Sequence, residues 1–217
     1  NFVKAGKEIG MVLKGRLRLL YDMIPPCDIL CDIGTDHALL PAFALLNGRC
    51  KKAVACDVGE GPLERARRTL ERFELQEKME LRLGSGLTPL AAEEADCVVL
   101  AGMGGNLIIQ LLLDSINIAR HAKNILLQPM TRQELVRPFL WEHGFEVFDE
   151  NLTSEGEKIY QAILARYTGS VKENWDVADE IIGEHLVNKR DPLLKEWLRL
   201  NIKRQQRVVG GLSGAGR

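Results

Sequence analysis

Two carboxylates and an imidazole stand close together in Asp32-Ile33-Gly34-Thr35-Asp36-His37. A third acid, Asp57, follows 25 residues after Asp32. That offset is close to the ~20 residues at which an acid after the second strand of a βαβ unit binds ribose hydroxyls. Gly34 lets a ligand approach the main chain, and a helix opening just after it offers unpaired N–H groups. In a dinucleotide fingerprint the position of Asp36 belongs to a second glycine that admits a pyrophosphate, and a carboxylate there repels phosphate. The favoured ligand is therefore a nucleoside carrying positive charge and no phosphate, and S-adenosylmethionine is such a cofactor. The plainer alternative makes Asp32-x-Gly34 a strand-to-helix turn with Asp36 as a helix-capping acid. For Asp36 the capping and catalytic roles are compatible.

These residues need strands to carry them and helices to separate the strands. Short apolar runs bounded by turn chemistry read as strands buried in a parallel sheet. The pattern predicts an amphipathic helix over 8–24 (Ile9, Val12, Leu13, Leu17, Leu20, Ile24) closed by Pro25-Pro26. A strand beginning at Cys27 and a helix over about 36–47 follow, then a strand over 52–57 and a helix from Pro62 to Phe73, with proline in its first turn. A strand over 79–83 leads into Gly84-Ser85-Gly86-Leu87, and one over 96–101 leads into Gly102-Met103-Gly104-Gly105 and a long apolar helix to about Ile118. A strand over 124–128 stopped by Pro129, a helix over 132–143, and a hairpin of 145–151 with 158–167 complete a doubly wound α/β sheet. Helices over 177–189 and 193–209 follow, and Gly210–Arg217 has no helical character.

With 46% hydrophobic residues, the 217-residue chain can bury a sizeable core. It has no apolar run of 18 residues, and it reads as soluble and unexported, with no membrane partner. Five cysteines without a Cys-x-x-Cys pair point to a reduced, cytoplasmic protein without structural zinc, and Cys31, Cys56 and Cys97 read as small buried hydrophobes. His121, His143 and His185 lack ligand-like partners and read as structural or surface groups, so no metal is expected. The formal charge of −1 divides unevenly: residues 1–20 carry +4, residues 185–217 carry +6 and the remainder −11. Basic ends flanking an acidic middle hint at a polyanionic partner, with surface solvation as the simpler account.

Taken in order, Asp32-Ile-Gly-Thr-Asp-His37, Asp57-Val-Gly-Glu-Gly-Pro62, Gly84-Ser-Gly-Leu87, Ala101-Gly-Met-Gly-Gly105 and Leu127-Gln-Pro129 closely resemble the bacterial TrmK family over about residues 10–205. Those proteins are tRNA (adenine-N1)-methyltransferases acting on the adenine at position 22. The resemblance implies a Rossmann-like class I methyltransferase domain with a seven-stranded sheet over 1–168. It implies a small helical, coiled-coil-like domain over 169–217, here expected to be truncated. It makes Asp32 and Gly34 the cofactor loop, Asp57 the ribose ligand, and Ser85 and Gly86 neighbours of the cofactor adenine. Ala101, Gly102, Met103 and Gly104 would line the space between methyl donor and target base. Ser85 replaces the usual Asp or Asn, and Glu157-Lys158-Ile159-Tyr160 replaces the family's Gly-Lys-aromatic-Tyr.

The implied reaction needs alignment of a lone pair on adenine N1 with a sulfonium methyl group. Asp36 could stabilise the developing cation or take the amino proton, and His37 could orient Asp36 or touch the base. Met103 lines the same space, or fills a gap. RNA would be held through phosphates by Lys14, Arg16, Arg18, Lys158, Lys195, Arg199, Lys203 and Arg204. No obligate protein partner is evident. A class I methyltransferase acting on a small molecule or protein would keep the same cofactor residues.

Overall fold

The structure, a computed structural model, describes residues 10–214, with Gln205 and residues 207–214 described by backbone alone. In chain order the elements are α1 (Gly15–Met23), β1 (Cys27–Ile33), α2 (Leu39–Leu46), β2 (Cys50–Asp57), α3 (Glu60–Arg72), β3 (Met79–Leu83) and β4 (Cys97–Gly104). Then come α4 (Gly105–Asp114), α5 (Ile116–His121), β5 (Asn124–Thr131), α6 (Gln133–Glu142), β6 (Phe145–Glu155), β7 (Lys158–Tyr167), α7 (Val177–Ile182), α8 (Glu184–Asn188) and α9 (Leu194–Gly214).

The seven strands form one sheet in the order β3-β2-β1-β4-β5-β7-β6. All pairs among the first five are parallel, while β7 runs antiparallel to both β5 and β6. Alternate side chains of each strand leave by opposite faces, and both faces are buried. In β4, Cys97 and Val99 join Leu20, Leu40, Ala42 and Leu70 beneath α1, α2 and α3. Val98 and Leu100 join Ile108, Leu112, Val136 and Leu140 beneath α4 and α6. The sheet is thus doubly wound, and β1 and β4 lie side by side at its centre, so their carboxyl ends open onto one crevice.

A third cluster of Leu152, Leu186 and Trp197 seats the C-terminal helices on the β6–β7 hairpin. Beside it lies an ion pair that the sequence does not disclose. Arg137 of α6 and Glu150 of β6 are each 1% exposed and 2.6 Å apart. Arg137 also donates to the carbonyl of Glu180 at 2.7 Å, fastening α7 to the sheet.

Several boundaries differ from expectation. Residues 10–14 are not helical, and α1 begins at Gly15 because Lys14 is extended and the Arg16 N–H is taken by Glu155 Oε1 at 2.9 Å. Ile9 lies outside the described residues. Asp36 does not cap α2: the helix begins at Leu39 after a left-handed Ala38. Pro129 does not stop β5, which runs to Thr131; the proline pairs with Met103 where the register shifts, a place where a missing N–H is tolerated. The apolar helix ending near Ile118 is two helices broken at Ser115. The expected 177–189 helix is broken at Gly183, whose φ of +84° is open to glycine and whose Cβ would collide with Arg137 and Glu150. The glycine-rich end does carry helix, since α9 continues to Gly214; residues 215–217 lie outside the described part.

Candidate functional site: a crevice between two turns

The carboxyl ends of β1 and β4 each turn sharply. After Ile33 the chain turns at Gly34, where φ is +74°, and the Gly34 and Thr35 N–H groups donate to the Cys56 carbonyl at 2.8 and 2.9 Å. A side chain at Gly34 would meet the Met103 methyl group, so the two turns touch. The second turn is held from below by Gln128, a fully buried amide whose Oε1 accepts the Gly102 N–H at 3.1 Å. Above Gly102 lies the Arg16 guanidinium.

The resulting crevice, about 240 Å³, is lined by Arg16, Asp32, Gly34, Thr35, Asp36, His37 and Ala101, with Leu17, Leu20 and Leu40 closing its apolar side. Asp32 is buried at its floor, and burial, with the neighbouring Asp57 charge, raises its carboxyl to about 6. The buried Thr35 Oγ1 has no hydrogen-bond partner. At the rim Asp36 accepts two bonds from Arg65 of α3, the Nε one at 2.8 Å, and its other oxygen lies 3.4 Å from His37 Nε2.

The remaining expected site residues lie on adjoining segments. Asp57 ends β2, its Oδ1 accepting the Gly59 N–H at 2.8 Å, and its carbonyl accepts the Gly84 N–H at 2.9 Å, stitching the Gly84–Leu87 loop to this edge. Ser85 is exposed, while Gly86 is buried against Leu111. Gly104 faces the Thr131 hydroxyl rather than the crevice. The basic residues do not form one surface. Arg16 lines the crevice and Lys14 stands exposed beside it. Arg18 is paired with Asp22 at 2.9 Å. Lys158 sits exposed at the hairpin turn. Lys195, Arg199 and Lys203 form an exposed row on α9 at four-residue spacing, and Arg204 is bonded to Gln133 at 2.9 Å.

Sequence reasoning missed Gln128 and Arg65. A glutamine directly after the apolar run Ile125–Leu127, within the strand, was the available signal, since a buried amide must find partners. No comparable signal marks Arg65, one of four arginines on α3.

Residues 13–163 match the family described as a methyltransferase domain. A curated Bacillus subtilis tRNA (adenine(22)-N(1))-methyltransferase is 30% identical over 190 residues, 85% of this chain and 79% of the relative. The crystal structure of the B. subtilis m1A22 tRNA methyltransferase TrmK superposes with a TM-score of 0.83 at 26% identity, covering 94% of this chain and 89% of that one. The chain belongs to the TrmK family of methyltransferases. A Streptococcus pneumoniae structure in complex with S-adenosyl-L-methionine also superposes on this TrmK-family chain, with a TM-score of 0.82 at 29% identity over 91% of each chain. The crevice suits that ligand. A buried carboxylate and an unpartnered hydroxyl at the floor, beside an apolar side, suit a cationic nucleoside, and that carboxylate would repel a phosphate group there.

No described helix is long and apolar enough to cross a membrane, and no cluster of three or more metal-ligating side chains occurs among the described residues.

Proposed function

We propose that this chain transfers a methyl group from S-adenosylmethionine to N1 of adenine 22 in bacterial tRNA. The observation that carries the reading is the contact between the Gly34 turn and the Gly102-Met103 turn over a buried carboxylate, within a chain related to enzymes of that name. When bound, S-adenosylmethionine supplies an electrophilic methyl group on a positively charged sulfur.

The chain's own residues bind, orient and shield. Asp32, ionised by the arriving positive charge, and the Thr35 hydroxyl anchor the polar end of the cofactor. Asp57 accepts from the ribose hydroxyls, and the Ser85-Gly86 loop borders the adenine. Ala101, Gly102 and Met103 form the wall against which the target base is laid, with Gln128 keeping Gly102 in place and Gly104 turned away from it. Neutral adenine N1 already carries a lone pair, so alignment is the main task, an effect worth up to ~7–11 kcal/mol in favourable cases. Asp36, fixed by Arg65 and His37, presents a carboxylate oxygen to the positive charge that develops on the base, and that oxygen needs no reorganisation during the reaction. His37 meets the base edge or the neighbouring phosphate.

Reaching the crevice requires the adenine to leave its stack, at a cost of a few kcal/mol. Phosphate contacts from Lys14, Arg16 and Lys158, and from the α9 row of Lys195, Arg199 and Lys203, offset that cost. The C-terminal helices from about residue 169 then act as an RNA-holding arm beside the methyltransferase domain. A tRNA substrate places the enzyme in the cytoplasm.

The test is methyl transfer from labelled S-adenosylmethionine to unmodified tRNA transcripts carrying adenine or guanine at position 22. Incorporation only into the adenine form is expected. Equal incorporation into both, or into neither while the cofactor binds, overturns the assignment and favours a small-molecule or protein substrate.

A further inference from the structure

A second groove adjoins the crevice on the α3 side, and among the described residues its charges come from α3 rather than from the basic ends of the chain. It encloses about 450 Å³ and is lined along one wall by Arg65, Arg68 and Arg72, with His37 shared with the crevice itself. Gly10–Leu13, Leu39, Thr69 and Phe73 complete its lining, most of it apolar. No carboxylate lines it among the described residues.

The three arginines stand at spacings of three and four residues, so they share one face of α3 and span about 10 Å along its axis. Their engagement falls with distance from the crevice. Arg65 is committed to Asp36. Arg68, with a side chain 74% exposed, approaches Glu64 only at 3.8 Å. Arg72 lies over the Phe73 ring and has no carboxylate partner among the described residues. Val12, which lines the same groove, is 75% exposed.

We infer that this α3 groove is a docking surface for the tRNA strand flanking the target adenine. Arg68 and Arg72 would grip successive phosphates, and Val12, Leu39 and Phe73 would receive an unstacked neighbouring base. The inference rests on the proposed tRNA reaction and deepens it. Charge decides the class of occupant, because a described lining that carries guanidinium groups and no acid suits a phosphodiester chain. Continuity decides the place, because a strand whose base enters the crevice past His37 must leave along one of its sides. Apolar and aromatic lining beside a row of cations is the combination that holds single-stranded nucleic acid.

The experiment compares the full chain with an Arg68→Glu/Arg72→Glu double variant, and with Arg68→Ala/Arg72→Ala as the milder pair. KM and kcat are measured on tRNA transcripts at several salt concentrations, and S-adenosylmethionine affinity is measured by calorimetry. Expected is a rise in KM for tRNA of at least tenfold in the Glu pair and a smaller rise in the Ala pair. Cofactor affinity stays within twofold, and the salt dependence flattens by about one counterion per lost phosphate contact. A tRNA KM and salt slope unchanged in both pairs would overturn the inference and assign the groove to another occupant, such as a protein or the chain's own preceding residues. Failure of the parent chain to methylate any tRNA is a different result and sinks the substrate assignment itself.

Discussion

Two ion pairs in this molecule have similar chemistry and opposite circumstances. Asp36–Arg65 stands at the rim of the crevice with side chains 62% and 41% exposed, whereas Arg137–Glu150 is sealed under the C-terminal helices at 1% each. Water screens the first, so it contributes little to folding and its carboxylate is free to meet a ligand. The second has been taken out of water at a cost that only its mutual attraction and extra bonds offset, and there Arg137 binds the Glu180 carbonyl and Gln161 binds Glu150. Burial nonetheless pushes the Glu150 carboxyl upward, and its Oε2 has no partner. On the proposed reading the first pair positions chemistry, whereas the second holds an element in place.

The comparison breaks most sharply at the buried pair. Glu150→Ala strands the Arg137 guanidinium and should cost about 3–5 kcal/mol in urea unfolding, while an apolar replacement of both partners, Arg137→Met with Glu150→Leu, should recover most of it. At the crevice floor, Asp32→Asn should weaken S-adenosylmethionine binding roughly tenfold or more by calorimetry, because hydrogen bonds to charged groups contribute about 1.5–3 kcal/mol. The folded Asp32 carboxyl, at about 6, lies above its ordinary 3.8, so in the free protein its contribution to stability falls as pH rises through that window. A cationic ligand selects the ionised form, so affinity should instead climb between pH 5 and 7 and then level off, and the climb should vanish in Asp32→Asn. Smallest in stability is Asp36→Ala: a change of about 1 kcal/mol or less in unfolding, with kcat for tRNA reduced about tenfold. A large loss of stability there would erase the distinction between the two pairs.

What was legible in the sequence follows the same division. The order of strands, the turns after Asp32 and Ala101, and the acid at Asp57 are local patterns: apolar runs, glycines and offsets along the chain. A doubly wound α/β sheet was readable from them, and the seven-stranded methyltransferase class from the resemblance of the motifs to a known family. Pro129 was misread as a stop because a proline forbids an ordinary ladder bond, and only pairing with Met103 at a register shift shows that none was needed. The N-terminal helix was overextended because Val12 and Leu13 fit a helical period, yet Glu155, from a strand 139 residues away, takes the Arg16 N–H at its true start. Arg65 with Asp36, Gln128 with Gly102, and Arg137 with Glu150 each join residues from different elements. Their meeting depends on packing that no spacing in the chain records.

The central claim is that this crevice directs the methyl group onto adenine N1, and nucleoside mass spectrometry of the methylated tRNA tests it most directly. After digestion at neutral pH, the account predicts 1-methyladenosine as the product, mapped to position 22. Methylation at the exocyclic amine, or at a different nucleotide, would contradict it.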